Sequence, residues 1–293
     1  MKIISLFIFL FISIITILVE LYLSKVGLGD PIRYDSNYIY GYAPKENQSK
    51  SRIRGAKVTI NDVGLRTIYK WKNNSKNKII FFGDSITYGG SYIDDSKTFT
   101  HLVCEKIKIY LCGNAGVNAY SVINIVMRSK YDKRFGNADK VFFVVAPGDF
   151  YRDYADSQTA HFYLNEKKFF LPAITEAISF VATKHDLNKY ISKKNDTKID
   201  QNKKDLINYS LNILEKEIQR LEIENKDVFL LYTIEKNDKK SKEKINNYIL
   251  EKLRKFNIKN FFNLENTLDK DIYFYDSVHY NVKGHEAVSK KII

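Results

Sequence analysis

Short apolar strands alternate with helical stretches along residues 78–293, and this alternation restricts the fold more than any other feature. KIIFFG (78–83) and KVFFVVAPG (140–148) contain continuous apolar runs, which are typical of strands buried on both faces of a parallel sheet. SKTFTHLVCEKI (96–107) and YSVINIVMRSKY (120–131) repeat apolar residues at helical spacing. The pattern predicts an α/β fold, with helices on both faces of a mostly parallel sheet.

The same alternation continues to the end of the chain and defines the domain organisation. Residues 77–293 form one α/β domain, interrupted at about 151–200 by an aromatic and then polar insertion. The insertion is as compatible with a lid or a substrate-binding platform as with a surface loop that has no functional role. Residues 25–76 predict an extended, turn-rich lead-in, in which TINDVGLRT is compatible with an edge strand or a loop. The remaining predicted elements are strands at 109–113, 227–234 and Lys259–Asn263, and helices at 205–225, 241–256 and 282–293.

The chain begins with an uncharged apolar segment. Residues 3–19 lie between Lys2 and Glu20, and with the following LYLS the segment approaches the ~20 residues that span a bilayer as a helix. A cleaved signal peptide would need an Ala-x-Ala-like site, which YLSKVGLGD does not supply. The segment predicts an uncleaved membrane anchor at 1–24, in contact with the cytoplasmic membrane through residues 3–23. Because long domains translocate despite their charge, we expect the N-terminus inside and the rest of the chain outside.

The chain is strongly basic, with 47 Lys and Arg against 34 Asp and Glu and a net charge of +13. Such a charge attracts anionic lipid, acidic polysaccharide or nucleic acid. However, the sequence contains no block of five like charges and no nucleic-acid-binding motif. We therefore interpret the charge as a lysine-rich solvated surface and expect no nucleic-acid partner.

Two cysteines, Cys104 and Cys112, lie eight positions apart. In an oxidising compartment they could pair, although a helix-to-strand geometry need not bring their Cα atoms within range. Two buried free thiols are an equally good interpretation. Neither cysteine neighbours a histidine in a ligand pattern, so no metal site is predicted.

A serine follows the first apolar strand directly, in the sequence Gly83-Asp84-Ser85. Functional groups collect at the carboxyl ends of parallel strands, and glycine permits a sharp turn without a Cβ clash. Ser85 would then begin a helical turn, a suitable place for a nucleophile whose attack creates an oxyanion. Taken alone, Gly-Asp-Ser is also typical of a turn or a helix cap.

A second polar group near the C-terminus changes that interpretation. DSVHYNVKGHEAV contains Asp276 and His279, three residues apart on a loop before a helix. Asp276 could hold the Nδ1–H of His279 so that Nε2 points at Ser85. His279 would take the Ser85 proton and return it to the leaving group. The sequence therefore predicts a Ser85–His279–Asp276 triad that needs no metal and no organic cofactor, whereas His285 is assigned to packing or a helix surface.

Three blocks of the chain resemble the SGNH (GDSL) hydrolase family: GDSITYGG at 83–90, NAGVNAYS at 114–121 and DSVHYNVKGH at 276–285. The resemblance covers roughly residues 60–293. The anchor and the NDVGLR-like lead-in resemble members encoded for bacterial surface-polysaccharide modification. The resemblance implies a flavodoxin-like three-layer α/β/α sandwich, a serine nucleophile, and a single-pass protein of the bacterial cytoplasmic membrane with a periplasmic or extracellular catalytic domain.

The resemblance also implies an oxyanion hole, and here the sequence departs from the family. The amides of Ser85 and Ala119 would supply two donors, although the family usually has glycine at the position of Ala119. Alanine in place of glycine keeps the backbone N–H, so the change has little effect unless the backbone requires a positive φ. The family's third block, which lies between the second block NAGVNAYS and the last block DSVHYNVKGH, is Gly-Asn-Asp; in this chain it is replaced by APGDFYRD at 146–153. Either Asp149 takes the place of the asparagine, or Gly148 does; losing such a donor typically costs about a hundred- to a thousand-fold in rate.

The function predicted from these residues is a serine esterase or O-acyltransferase. Its substrate would be acylated carbohydrate or lipid, with acetyl groups of cell-surface carbohydrate as the first expectation. One alternative is a catalytically impaired, membrane-tethered protein that binds or assembles polysaccharide. A weaker alternative is a lysophospholipase, with an apolar groove lined by residues 162–180.

Overall fold

A computed structural model describes most of the chain. Most of the predicted insertion, at 157–170, 180 and 182–200, lies outside the described residues, and with it about half of the groove expected at 162–180. The described residues are 2–72, 76–136, 138–156, 171–179, 181, 201–234, 236, 243–256, 258–268, 271–276 and 278–293.

The described residues form nine strands and eight helices in alternating order after the first hairpins. The strands are β1 (Tyr34–Asn37), β2 (Gly41–Pro44), β3 (Gln48–Ser51), β4 (Lys57–Ile60), β5 (Asn77–Gly83), β6 (Tyr110–Gly116), β7 (Lys140–Val145), β8 (Asp227–Tyr232) and β9 (Asn260–Asn263). The helices are α1 (Lys2–Val26), α2 (Ser85–Tyr88), α3 (Phe99–Lys106), α4 (Val122–Tyr131), α5 (172–179), α6 (Gln201–Ile223), α7 (Glu243–Lys255) and α8 (Val282–Ile292).

The central sheet has five parallel strands in the order β6-β5-β7-β8-β9. This arrangement confirms the predicted α/β sandwich with a flavodoxin-like strand order. Strand β5 is the first strand of the sheet in sequence, and the chain moves to one side of it for β6 and to the other side for β7. In open α/β sheets, ligands bind outside the carboxyl ends of the strands at such a reversal, so the end of β5 is the favoured place for a site.

Alternate side chains of each central strand enter two separate hydrophobic cores. In β5, Ile80 and Phe82 belong to the core that includes residues of α4, α6 and α7, whereas Ile79 and Phe81 belong to the core with α3 and α8. Phe142 stacks on Phe81 with ring centroids 4.6 Å apart. Both faces of the sheet are covered, which explains why these strands are continuous apolar runs rather than alternating ones.

The lead-in forms two antiparallel hairpins, β1–β2 and β3–β4. Tyr42, Val58 and Trp71 are buried in the same core as α4 and α6. The indole N–H of Trp71 donates to the Phe135 carbonyl at 2.6 Å. Residues 25–76 therefore pack on the sandwich instead of merely connecting it to the N-terminal helix.

Strand β6 extends three residues beyond its predicted end at 113. The three additional residues, Asn114–Gly116, pair in parallel with Phe81–Gly83 of β5. Asn114 also forms an antiparallel bridge with Arg66, whose amide donates to the Asn114 carbonyl at 2.8 Å. These partners lie far from β6 in sequence, so the local sequence near β6 gave no sign of the extension.

The N-terminal helix is long and apolar enough to cross a bilayer, with a mean hydropathy of 2.8 over its best window in Ile3–Val26, none of it buried. Near its end, the Glu20 carboxylate accepts hydrogen bonds from the Ala173 and Ile174 amides at 2.9 Å each, at the start of α5. On the same helix α5, Glu176 accepts from the Gly29 amide at 2.6 Å. The anchor, the lead-in and α5 are thus joined by hydrogen bonds, while membrane insertion and orientation stay predictions.

Candidate active site

The turn after β5 is built on close backbone contacts. A Cβ atom on Gly83 would lie 2.0 Å from the Thr87 Oγ1 and 2.8 Å from the Val144 carbonyl oxygen, so only glycine fits. The Asp84 side chain then caps α2 by accepting from the Ile86 amide at 2.8 Å. This arrangement turns the chain sharply and makes Ser85 the first residue of α2.

The structure brings the three predicted triad residues together. The His279 Nε2 lies 2.9 Å from the Ser85 Oγ, and the His279 Nδ1 lies 2.8 Å from an Asp276 carboxylate oxygen. The His279 side chain is 26% exposed, so the chain of hydrogen bonds opens to the surface. Both distances are within the range for proton transfer between a nucleophile and a general base.

A tight turn explains why residues three apart can pair in this way. The Tyr275 amide donates to the His279 carbonyl at 2.8 Å, and the second Asp276 carboxylate oxygen accepts from the Val278 and His279 amides at 2.8 and 2.7 Å. Partial burial alone would raise the pKa of Asp276, but hydrogen bonds from the His279 ring and from these amides lower it to about 2. Asp276 therefore stays ionised at ordinary pH and holds the imidazole in one orientation.

The predicted oxyanion donors lie at the same edge of the sheet. Ala119 follows β6 by three residues, and the last residue of that strand, Gly116, pairs with Gly83 at the end of β5. Within the described residues, neither the Ser85 amide nor the Ala119 amide donates a hydrogen bond to another group. Both N–H groups are therefore available to an incoming oxygen.

Ala119 has a φ of 64°, in the left-handed region. The positive φ that would make the Gly-to-Ala change costly is therefore present. An L-residue in this region is destabilised by about 1–2 kcal/mol relative to glycine. Alanine keeps the backbone N–H at this position, but at a cost in folding stability.

We expect Ala119→Gly to raise the free energy of unfolding by about 1 kcal/mol, because relief of strain exceeds the added flexibility of the unfolded chain. Urea unfolding of the full chain in detergent measures this change. Ala115→Gly, on the neighbouring strand without a positive φ, is the matched control and should be destabilising. Equal destabilisation by both substitutions would show that the backbone at 119 is relaxed.

Neither candidate position in the third block supplies a side-chain hydrogen-bond donor. Asp149 is fully buried, and its carboxylate accepts from the Ala146 amide at 2.8 Å, which caps the 3₁₀ turn Pro147–Phe150. Gly148 has no side chain. Which of the two residues stands where the family has asparagine stays a prediction, but under either alignment the expected donor is missing.

Arg152 is a site residue that the sequence did not single out. Its Nη1 donates to the Tyr120 carbonyl at 2.8 Å and lies 3.3 Å from Asp149 Oδ1 and 3.7 Å from Asp84 Oδ2. The guanidinium therefore contacts all three loops at the carboxyl edge of the sheet. The only sequence signal is an arginine three residues after an aspartate in APGDFYRD.

A second arginine, Arg66, holds the loop that follows Ser85 by hydrogen bonds and an ion pair. Arg66 is buried and pairs with Asp95 at 2.9 Å. Its Nη1 donates to the Tyr88 and Gly90 carbonyls at 2.7 Å each. The NDVGLR segment therefore has a structural role, because its Arg66 holds the C-terminal end of α2, which lies far from it in sequence.

Two other polar residues near the site have structural roles. Asn114 is buried, and its side-chain amide donates to the Thr87 carbonyl at 2.6 Å, so it holds α2 in place against β6. His285 is also buried, and its Nδ1 accepts from the Phe99 amide at 3.3 Å. Burial, together with the nearby charge of Arg66, lowers the pKa of His285 to about 3. His285 is therefore a neutral packing residue, in agreement with its predicted role.

Cys104 and Cys112 are both buried and free in the structure. The hydrogen bond between the two thiols lowers the pKa of Cys104, whereas that bond and burial raise the pKa of Cys112. Cys104 lies on α3, and its thiol donates to the Tyr110 carbonyl at 3.4 Å. The structure therefore corresponds to the free-thiol alternative.

No protein-family model matches the chain, and no curated protein matches it. Solved structures do match. A G-D-S-L lipolytic protein from Veillonella parvula is 16% identical, with 73% of this chain and 94% of that chain covered and a TM-score of 0.45. An acetyl xylan esterase is 20% identical, with 73% and 97% covered and a TM-score of 0.45. A catalytic mutant of the acetylxylan esterase from Geobacillus stearothermophilus is 14% identical, with 75% and 94% covered and a TM-score of 0.45.

These solved structures are named as G-D-S-L lipolytic proteins and acetyl xylan esterases. Their identities with this chain are 20% or less and their TM-scores lie below 0.5. The chemistry of this chain therefore has to be inferred from its own site.

Proposed function

We propose that this chain is a membrane-anchored serine esterase or O-acyltransferase of the SGNH (GDSL) type. The observation that carries the proposal is the continuous hydrogen-bond chain from Ser85 Oγ through His279 to Asp276, at 2.9 and 2.8 Å. Those three groups, in that order, form an activated nucleophile, a general base and an ionised orienting carboxylate. A structural role alone would not require a serine–histidine pair that opens to the surface beside free backbone donors.

The reaction begins with attack of the Ser85 Oγ on the carbonyl carbon of an ester. His279 Nε2 accepts the serine proton as the bond forms, and Asp276 stabilises the resulting imidazolium. The negative charge that develops on the carbonyl oxygen is received by the amides of Ser85 and Ala119. Collapse of the tetrahedral intermediate releases the alcohol, protonated by His279, and leaves the acyl group on Ser85.

The second half-reaction decides between hydrolysis and transfer. Water or a sugar hydroxyl, deprotonated by His279, attacks the acyl-serine and regenerates Ser85. The proposed acyl donor is an ester of cell-surface carbohydrate, with acetyl as the expected group, following the sequence resemblance. The apolar α1 supports a location at a membrane. That this is the bacterial cytoplasmic membrane, with the catalytic domain outside, is proposed from the sequence resemblance, and no nucleic-acid partner is proposed.

The direct test is covalent labelling of the full-length chain in detergent with a fluorophosphonate probe. We expect a single phosphonylated site at Ser85, identified by mass spectrometry of the digested protein. The Ser85→Ala variant should not be labelled, whereas Ser96→Ala, which removes an exposed serine from the 3₁₀ turn Asp95–Lys97, should label like the wild type. Release of acetate from acetylated oligosaccharides then tests the substrate class.

The second candidate is a non-catalytic protein that binds or assembles polysaccharide at the membrane. The observation that favours it is the third block, in which neither Gly148 nor Asp149 supplies the side-chain donor. A folded full-length chain that is not labelled at Ser85 would support this candidate and contradict the esterase proposal. The lysophospholipase interpretation relied on residues 162–180, about half of which lie outside the described residues, and is not proposed.

A further inference from the structure

Two buried carboxylates lie close to the place where negative charge develops during the proposed reaction. Asp84 directly precedes the nucleophile and is 2% exposed, and Asp149 in the third block is 0% exposed. Carboxylates in a low-dielectric interior repel a nearby oxyanion and are costly to bury without a compensating charge. A site of this kind therefore needs a cation at close range.

Arg152 supplies that cation from within the third block itself. Its Nη1 is 3.3 Å from Asp149 Oδ1 and 3.7 Å from Asp84 Oδ2. The same nitrogen donates to the Tyr120 carbonyl at 2.8 Å, and Tyr120 is bonded to Ala119, whose amide is a proposed oxyanion donor. One guanidinium thus connects the nucleophile turn, the second-block loop and the third-block turn.

We propose that Arg152 is a positioning residue for the oxyanion hole, in compensation for the donor missing from the third block. It holds the Tyr120 carbonyl and thereby fixes the strained backbone at Ala119, whose φ is 64°. It also offsets the charges of Asp84 and Asp149 behind the hole. This role rests on the proposed function, because it acts on the transition state of that reaction.

The arrangement predicts a specific kinetic signature. Since the oxyanion is absent from the bound substrate and develops only in the transition state that leads to the tetrahedral intermediate, loss of Arg152 should lower kcat much more than it raises KM. A purely structural role would instead lower the amount of folded protein and leave the kinetics of the folded fraction unchanged. The distinguishing quantity is therefore the rate per folded active site.

The test compares Arg152→Met and Arg152→Lys in the full-length chain in detergent, with fluorophosphonate labelling and p-nitrophenyl acetate hydrolysis. We expect Arg152→Met to lower kcat and the labelling rate by about a hundred-fold, the loss typical of one oxyanion-hole contact, with KM within about three-fold. Arg152→Lys keeps the positive charge but not the planar guanidinium with its several donors, so its kcat and labelling rate should fall less. Arg220→Met, which removes an arginine paired with Glu217 and Glu224 on α6, is the matched control and should label normally.

Thermal unfolding of each variant gives the folded fraction, and if Arg152→Met does not fold, Arg152→Lys carries the comparison with the wild type. Millimolar guanidinium added to folded Arg152→Ala should restore part of the labelling rate. A wild-type chain that is labelled at Ser85, with Arg152 variants that label at the wild-type rate, would overturn the role of Arg152 alone. A wild-type chain that is not labelled would overturn the proposed function and this role together.

Discussion

His279→Ala is expected to lower kcat for ester hydrolysis by about 10⁶-fold, because triad members act as a unit and His279 is the base bonded to the serine. The imidazole is the group that joins Ser85 to Asp276, with hydrogen bonds of 2.9 and 2.8 Å. Its side chain is 26% exposed to solvent, so removing it empties surface space rather than a core. The variant should therefore stay folded, with its thermal midpoint close to that of the wild type.

Matched variants make this result interpretable. Ser85→Ala should lose about as much activity as His279→Ala, and the double variant should lose no more than either one. Asp276→Asn should lose about 10⁴-fold, because the ring then adopts the wrong tautomer. Since the pKa of Asp276 is about 2, protonation of Asp276 should not contribute to the wild-type pH profile above about pH 4. Activity of His279→Ala within tenfold of the wild type would show that another base serves Ser85.

Gly116→Ala is expected to lower the free energy of unfolding by about 3 kcal/mol or more, at the upper end of the range for overpacking. A Cβ atom at this position would lie 2.3 Å from the Tyr88 nitrogen, 2.8 Å from the Thr87 carbonyl carbon and 2.9 Å from the Asp84 carbonyl oxygen. All three are backbone atoms of the turn that carries Ser85. Because no flexible side chain can yield, either β6 or α2 must move.

Urea unfolding of the full chain measures this loss, and activity of the folded fraction should fall with it because α2 is displaced. Gly55→Ala is the control, since a Cβ atom on Gly55 would have no neighbour within 4 Å and only its φ of +75° opposes the change. That substitution should cost about 1–2 kcal/mol. Equal losses for the two variants would mean that the end of β6 is not held against α2.

Much of the architecture could be predicted because it is local in sequence. The apolar runs of β5 and β7 indicated a sheet covered on both faces, and Gly83-Asp84-Ser85 indicated a functional turn at a strand end. The Asp276–His279 spacing indicated a pair that a single turn could bring together. Each of these inferences depends on residues within a few positions of one another, where backbone geometry leaves few alternatives.

The parts that could not be predicted depend on contacts between distant segments. Arg152 binds atoms from loops that follow three different strands, so its role is visible only once the strand order is known. The orientation of the Asp149 carboxylate is decided by its own 3₁₀ turn, which no spacing rule distinguishes from a side chain that faces the site. The packing of the lead-in on the sandwich through Trp71 is equally non-local.

The hydrogen bonds between the anchor and the domain have a consequence for the reach of the active site. A flexible linker would let the domain explore a radius that grows with the square root of linker length. Here Glu20 binds the start of α5 at 2.9 Å, and Glu176 on that helix binds the Gly29 amide at 2.6 Å. With α1 in a membrane, the domain would stand at a fixed height above the lipid surface, and any substrate would have to reach Ser85 at that height.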